Sequence, residues 1–196
     1  MNILPIDELN TLTSQLSIHF EDGKMRSRED YEDILDEMLD FFLLAYADGV
    51  QAANTDLGTD YEMPVSMAES AVNEVVAGET WRERVRGYYE SGGDEYDIQR
   101  IAETDMTRIY NTAVLDVAAE AARQDAKAGT KSNIRKRWET MQDDKVRESH
   151  DYLQSVEVGL GDMFVTFDGD MAYAPGMFSL PENNVGCRCT IKLIKG

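Results

Sequence analysis

The chain carries two cysteines and two histidines, and three of these side chains, His150, Cys187 and Cys189, fall in its final quarter. Thiolates and imidazoles bind soft metal ions and work as nucleophile–base pairs, so this trio is the first candidate for chemistry. Only Arg188 separates the cysteines. In a strand, residues i and i+2 face the same way with Cα atoms about 6.5–7 Å apart, at the limit of disulfide reach. An internal disulfide is therefore not expected. Two small buried thiols are the plainer reading. The sharper one is a zinc site of Cys187, Cys189 and His150 completed by a carboxylate or water, although zinc-binding cysteines more commonly have roughly two to four residues between them. A Cys–His nucleophile pair is a third reading. No other cofactor is implied.

His150 closes a dense polar run, Asp143-Asp144-Lys145-Val146-Arg147-Glu148-Ser149-His150. Strand alternation sends both sulfurs to one face and the Arg188 guanidinium to the other. The expectation is two reduced, buried thiols near His150, with Arg188 paired to a carboxylate, Asp144 first. No phosphate-binding loop, H-E-x-x-H, G-x-S-x-G or kinase set is present, so catalysis is not expected. Gly159-Leu160-Gly161 lacks the third glycine of a dinucleotide fingerprint. Asp168-Gly169-Asp170 lacks the spacing of a calcium loop and reads as a hairpin tip.

The elements that must position these residues are helices first and strands last. Ser27 to Asp30 resembles a capping box, and Tyr31, Ile34, Leu35, Met38, Leu39 and Phe42 follow at helical spacing, predicting a helix that stops near Gly49. Pro64 opens a second helix carrying Met67, Ala71 and Val75, stopped by Gly78. Thr80 with Glu83 forms a second capping box, and Ser91-Gly92-Gly93 ends its helix. The longest helix is predicted from about Asp94 to Lys127. Ala102, Met106, Ile109, Ala113 and Val117 line one of its faces, and Leu115, Ala118 and Ala122 a nearly opposite one, so it should be covered on two sides. After Trp138 come short strand-like runs: Val156 to Val158, Met163 to Phe167, Met171 to Tyr173 and Cys187 to Leu193. The fold class is α+β: a helical region over 1–93, then a long linking helix and a small end of short antiparallel strands over 94–196.

Charge narrows the partners. The 196 residues carry a net charge of −19, with 42% hydrophobic residues, enough for a core. Residues 1–120 hold 8 basic against 27 acidic side chains, whereas residues 121–150 hold 8 against 5. Only that middle stretch, through Lys131, Arg135, Lys136 and Arg137, offers contact to a phosphate backbone, weak and sequence-independent. No apolar run approaches the roughly 18 residues of a membrane span and no secretory leader is visible, so a soluble protein folded in the cytosol is expected.

One ordered set of motifs carries a family resemblance. Lys136-Arg137-Trp138, Asp144 to His150, Asp162-Met163-Phe164, Tyr173-Ala174-Pro175-Gly176 and Cys187-Arg188-Cys189 follow one another, with Glu103-Thr104, Arg108 and Asn111 on the helix upstream. Together they resemble the phage Mu F-like family of minor head, or head-morphogenesis, proteins. Gly186 stands where that family usually has Asn, Val146 interrupts its basic pair, and residues 1–90 lie outside the resemblance. It implies a virion component at the portal or capsid interior, assembled in the host cytoplasm and active in head assembly or genome packaging and ejection. Its partners would be the portal or major capsid protein, with weak contact to packaged DNA and none to membrane. Trp138, Phe164 and Pro175 would be core and turn positions, and Asp144, Arg147, His150 and Arg188 a buried polar network. The competing class is a small effector or toxin-type enzyme, a nuclease or metal-dependent hydrolase carrying this domain. A third is an adaptor whose acidic helices bind a basic partner.

Overall fold

A computed structural model describes residues 6–196 of the chain. Helix α1 (Ile6–Ser17) leads through a small hairpin, β1 (Phe20–Glu21) and β2 (Lys24–Met25), into the 30-residue α2 (Arg28–Leu57). Ser27 caps α2 by accepting a hydrogen bond from the Asp30 N–H at 3.1 Å. The helix does not stop at Gly49; it continues to Leu57 and ends on the left-handed Gly58. A mid-helix glycine costs only about 1 kcal/mol relative to alanine. Here the missing Cβ is what lets α2 lie against its neighbour. A Cβ on Gly49 would sit 2.4 Å from the Tyr110 carbonyl oxygen and 2.8 Å from the Ala113 Cβ. Gly49→Ala is therefore expected to cost about 1–3 kcal/mol by forcing the two helices apart. Urea unfolding of the variant checks this.

Helix α3 (Val65–Val72) starts directly after Pro64 but ends well before Gly78, leaving Val75 exposed. The chain then turns through Ala77 and Gly78, both at positive φ, with Val76 bridged to Glu79. Helix α4 (Trp81–Ser91) carries both halves of the Thr80–Glu83 capping box and ends at the left-handed Gly92. Helix α5 (Glu95–Lys127) begins at the N-cap Asp94 and runs 33 residues.

The C-terminal part is built from β3 (Ile134–Glu139), the one-turn α6 (Glu148–Asp151), β4 (Glu157–Gly159), β5 (Phe164–Val165), β6 (Met171–Ala172), the one-turn α7 (Pro181–Asn184) and β7 (Thr190–Lys195). Strands β4, β3 and β7 form an antiparallel sheet in that order, with Trp138 opposite Ile191. Strands β5 and β6 form a separate hairpin with Asp168 and Gly169 in its turn. Strand β7 starts three residues later than predicted and runs on to Lys195, so Cys187 and Cys189 lie in the loop just before it.

Two apolar cores share the long helices. Leu12, Leu16, Ile34, Met38, Phe42, Trp81, Ile98 and Met106 fill the first, among the helices. Ala53, Leu57, Val114, Val117, Ala118, Trp138, Phe164, Ile191 and Leu193 fill the second, between α2, α5 and the sheet. Helix α5 contributes to both, its residues from Ile98 to Ala113 to the first and from Tyr110 to Ala121 to the second.

Candidate functional site

The middle of α5, from Thr104 to Asn111, is a template on which the C-terminal segment is laid. Thr104 Oγ1 accepts from the Gly186 N–H at 3.1 Å, and Thr107 Oγ1 donates to the Cys187 carbonyl. Asn111, fully buried, donates from Nδ2 to the carbonyls of Thr107, Cys189 and Pro175 at 2.8, 3.2 and 3.4 Å. Its Oδ1 accepts from the Ile191 N–H at 2.9 Å, and Asp56 on α2 accepts from the Leu193 N–H at the same distance. Ile191 and Leu193 are alternate residues of an edge strand, so their N–H groups point away from β3. Side chains of α5 and α2 thus satisfy the edge that would otherwise be open. The Pro175–Gly176 turn sits on α5 as well. Gly176 has φ +83°, and a Cβ there would lie 3.0 Å from the Arg108 Cα, so only glycine fits.

This template sets the soft donors in place. Both Cys187 Sγ and Cys189 Sγ lie 3.5 Å from Nδ1 of His150, and all three residues are buried. The imidazole stacks on Phe178 at 5.5 Å and meets the edge of Trp138 at 5.4 Å, which fixes Nδ1 toward the sulfurs. The Cys187 thiol is held well below its ordinary value, first by a hydrogen bond from Cys189 and, against the cost of burial, by His150. Cys189 is pushed up, because it keeps the proton it donates to Cys187 and because it is buried.

The charged residues separate into two groups rather than one network. Arg188 pairs through both oxygens, at 2.9 Å each, with Asp143 and not with Asp144. Asp144 is exposed. Asp143 is exposed too, and the backbone N–H of Lys145 bonds its Oδ1, which aims that carboxylate at Arg188. Arg188 and Asp143 are also partly exposed, so the pair is worth about 0–1 kcal/mol. Arg147 donates to the Val185 carbonyl. Tyr96, Arg100, Glu103, Lys145, Arg147 and Arg188 line a cleft of about 500 Å³. Burial pushes the Glu103 carboxyl up, with Arg188 and Lys145 opposing. Arg108 belongs elsewhere: it pairs with Asp105 and Glu74 and donates to the Ala71 carbonyl, tying α5 to α3.

The basic stretch is mostly committed internally. Lys136 is fully buried with its Nζ 2.7 Å from the Tyr173 carbonyl and over the rings of Phe164 and Tyr173, so it offers nothing to a phosphate backbone. Arg135 and Arg137 pair with Glu157, and Arg137 also with Glu139; Lys131 is exposed. Alternation explains this: Ile134, Lys136 and Trp138 point inward along β3, and Arg135 and Arg137 outward. Burial pulls the Lys136 ammonium down to about 8, with Asp162 opposing. Below pH 8 both folded and unfolded chains carry this proton, and the cost of the buried charge is present in full. Between about pH 8 and 10.4 the folded chain has shed the proton while the unfolded chain retains it, so this group makes stability rise with pH. Lys136→Met should abolish that rise, measured by urea unfolding across the range.

Thr107 and Asp170 hold the C-terminal part together at positions that the motifs do not reveal. Asp170 is read from the sequence as part of a hairpin tip. It does lie in that hairpin turn, and its carboxylate also accepts from the N–H groups of Met171, Ser179 and Leu180, the Ser179 hydroxyl and the Asn183 amide, joining the β5–β6 hairpin to α7.

The sequence profile described as "Phage Mu protein F like protein" matches residues 67–192, more than half of the chain. Among curated proteins, the NAD(+)--arginine ADP-ribosyltransferase EFV of Enterococcus faecalis (strain ATCC 700802 / V583) is similar, with 28% identity over 142 residues. That stretch is 69% of this chain but 28% of the relative, so the chain spans little more than a quarter of that protein's length. No solved structure gives a significant match.

Proposed function

Because the chain belongs to the phage Mu protein F-like family, we propose that it is a minor head protein of a tailed phage, held at the portal or capsid interior and acting structurally in head assembly or genome packaging and ejection. The observation that carries this reading is the family match itself, which runs from α3 into β7 and takes in the motif residues from Glu103 to Arg188. The use of polar side chains supports it. Thr104, Thr107, Asn111 and Asp170 are spent on backbone groups of the C-terminal part, as in a domain built to hold a shape.

The acidic excess of residues 1–120 supports docking on a basic surface of the portal or major capsid protein. Such an association weakens with salt, because exposed charges are screened beyond about 8–10 Å near physiological ionic strength. Contact with packaged DNA is left to Lys131 and the outward faces of Arg135 and Arg137, and is correspondingly weak. Among the described residues no helix is long and apolar enough to cross a membrane.

The test is to tag the chain in an infected or induced host and follow it through particle purification. Retention in DNA-filled heads together with the portal is the expected result. Absence from particles that contain portal and capsid protein overturns the reading. The name of the E. faecalis relative favours a second reading, in which this chain is part of an effector that transfers ADP-ribose. Most of that relative lies outside the match, so its activity is not carried over. Consumption of NAD by the purified chain would favour the effector.

A further inference from the structure

The sulfurs of Cys187 and Cys189 and the Nδ1 of His150 all lie within 4.8 Å of one another, although His150 and the cysteines are separated by more than thirty residues of chain. Each sulfur is 3.5 Å from the same nitrogen. A tetrahedral zinc ion with Zn–S near 2.3 Å and Zn–N near 2.0–2.1 Å sets its S···N separations at about 3.5 Å. Hydrogen bonding does not by itself require this symmetry. Nδ1 carries either one proton or one lone pair, so it can bond one sulfur well, not two alike. A single atom equidistant from two thiols on a Cys-x-Cys loop is what a shared ion demands.

The geometry points to a resident Zn²⁺ held by Cys187 Sγ, Cys189 Sγ and His150 Nδ1, with a water completing the tetrahedron. No carboxylate joins the trio among the described residues, which leaves the fourth position to solvent. Zinc binds both cysteines as thiolates, so the proton that Cys189 shares with Cys187 is released and a bis-thiolate zinc site results. With a neutral imidazole the buried site then carries no net charge, which removes the cost of burying an isolated ion. The soft, nitrogen- and sulfur-only donor set selects zinc over magnesium or calcium. Trp138 and Phe178 hold the imidazole plane, and Thr107 and Asn111 hold the carbonyls of Cys187 and Cys189, so the loop is set before metal arrives. The ion would clamp α6 to the loop entering β7. It requires nothing of the phage assignment.

The test uses the full chain purified without chelator and analysed for metal by mass spectrometry. About one zinc per chain is expected, falling to background in Cys187→Ser and Cys189→Ser. Because an unfolded variant would also lose metal, the decisive arm is the wild-type chain. Apo protein is titrated with Co²⁺ and followed for thiolate-to-cobalt charge-transfer absorption and the intense visible bands of a tetrahedral site. Zinc should also slow labelling of both thiols by at least about tenfold relative to the apo chain. A folded chain that takes up neither zinc nor cobalt overturns the proposal. So does a Cys187–Cys189 disulfide in the freshly purified protein, or copper found in place of zinc.

Discussion

Asn111→Ala is expected to destabilise the protein by about 3–5 kcal/mol, since each buried partner it strands costs about 1–3 kcal/mol. The side chain is fully buried at the middle of α5, where the helix meets the loop before β7, and both ends of its amide are used. Without it, the Ile191 N–H on the free edge of β7 has no acceptor, and the Cys189 carbonyl loses its donor. A cavity is left as well. Asn111→Asp separates the contributions: it keeps the acceptor for Ile191 but places a carboxylate against the carbonyls of Thr107, Pro175 and Cys189. It should therefore be at least as damaging as Ala. Urea unfolding with an unchanged m-value is the measurement. A loss below about 1 kcal/mol for Asn111→Ala would mean that apolar packing alone seats β7 on the helix.

Local rules exposed the helices well wherever the caps decide the matter. Ser27, Thr80 and Asp94 each start a helix, and Gly92 ends one, because a capping side chain or a left-handed glycine acts within a few residues of chain. Gly49 shows where such rules run out. Its role is set by Tyr110 and Ala113 on another helix, and no local pattern reports a contact across sixty residues. Strand β3 is hidden for a related reason. Its inward positions alternate correctly, but one of them is Lys136, whose charge makes Lys131 to Arg137 look like a solvent-facing basic patch. What permits the burial is the Tyr173 carbonyl together with the Phe164 and Tyr173 rings, all supplied by the distant hairpin.

The candidate site was legible in residue types more than in partners. Cysteine and histidine are few in this chain, so their chemistry stands out, whereas one aspartate among many does not. Asp143 and Asp144 are adjacent and both exposed, and only the local turn decides which of them meets Arg188. Thr107 fits no motif because its work is a single hydrogen bond to the Cys187 carbonyl. Arg108 and Asn111 belong to one helix stripe in the sequence, yet a rotation of three residues around α5 sends one to α3 and the other to β7.

The Asp170 carboxylate should make the C-terminal part sensitive to acid. Burial pushes this carboxyl up, but the hydrogen bonds from Ser179, Asn183 and the N–H groups of Leu180 and Met171 together hold it below its ordinary value. A carboxyl depressed in the folded state binds fewer protons there than when unfolded. Its stabilisation is therefore present in full above the ordinary carboxylate range and is lost as pH falls through the folded value. Asp170→Asn keeps the shape but turns an amide group against donors and removes the charge that strengthens each bond. Hydrogen bonds to a charged group are worth about 1.5–3 kcal/mol each, so a loss of about 3 kcal/mol is expected near neutral pH. For a chain of this length that is a fall in melting temperature of about 6–12 °C. The same variant should show a flatter decline in stability between neutral and acid pH than the wild type. The consequence reaches the Cys–His trio, because Asn183, held by Asp170 Oδ2, also accepts from the hydroxyl of Ser149 beside His150. Releasing it should speed labelling of Cys187 and Cys189 in the native protein. A variant with wild-type acid sensitivity and unchanged thiol labelling would show that α7 is seated by its apolar contacts and not by this carboxylate.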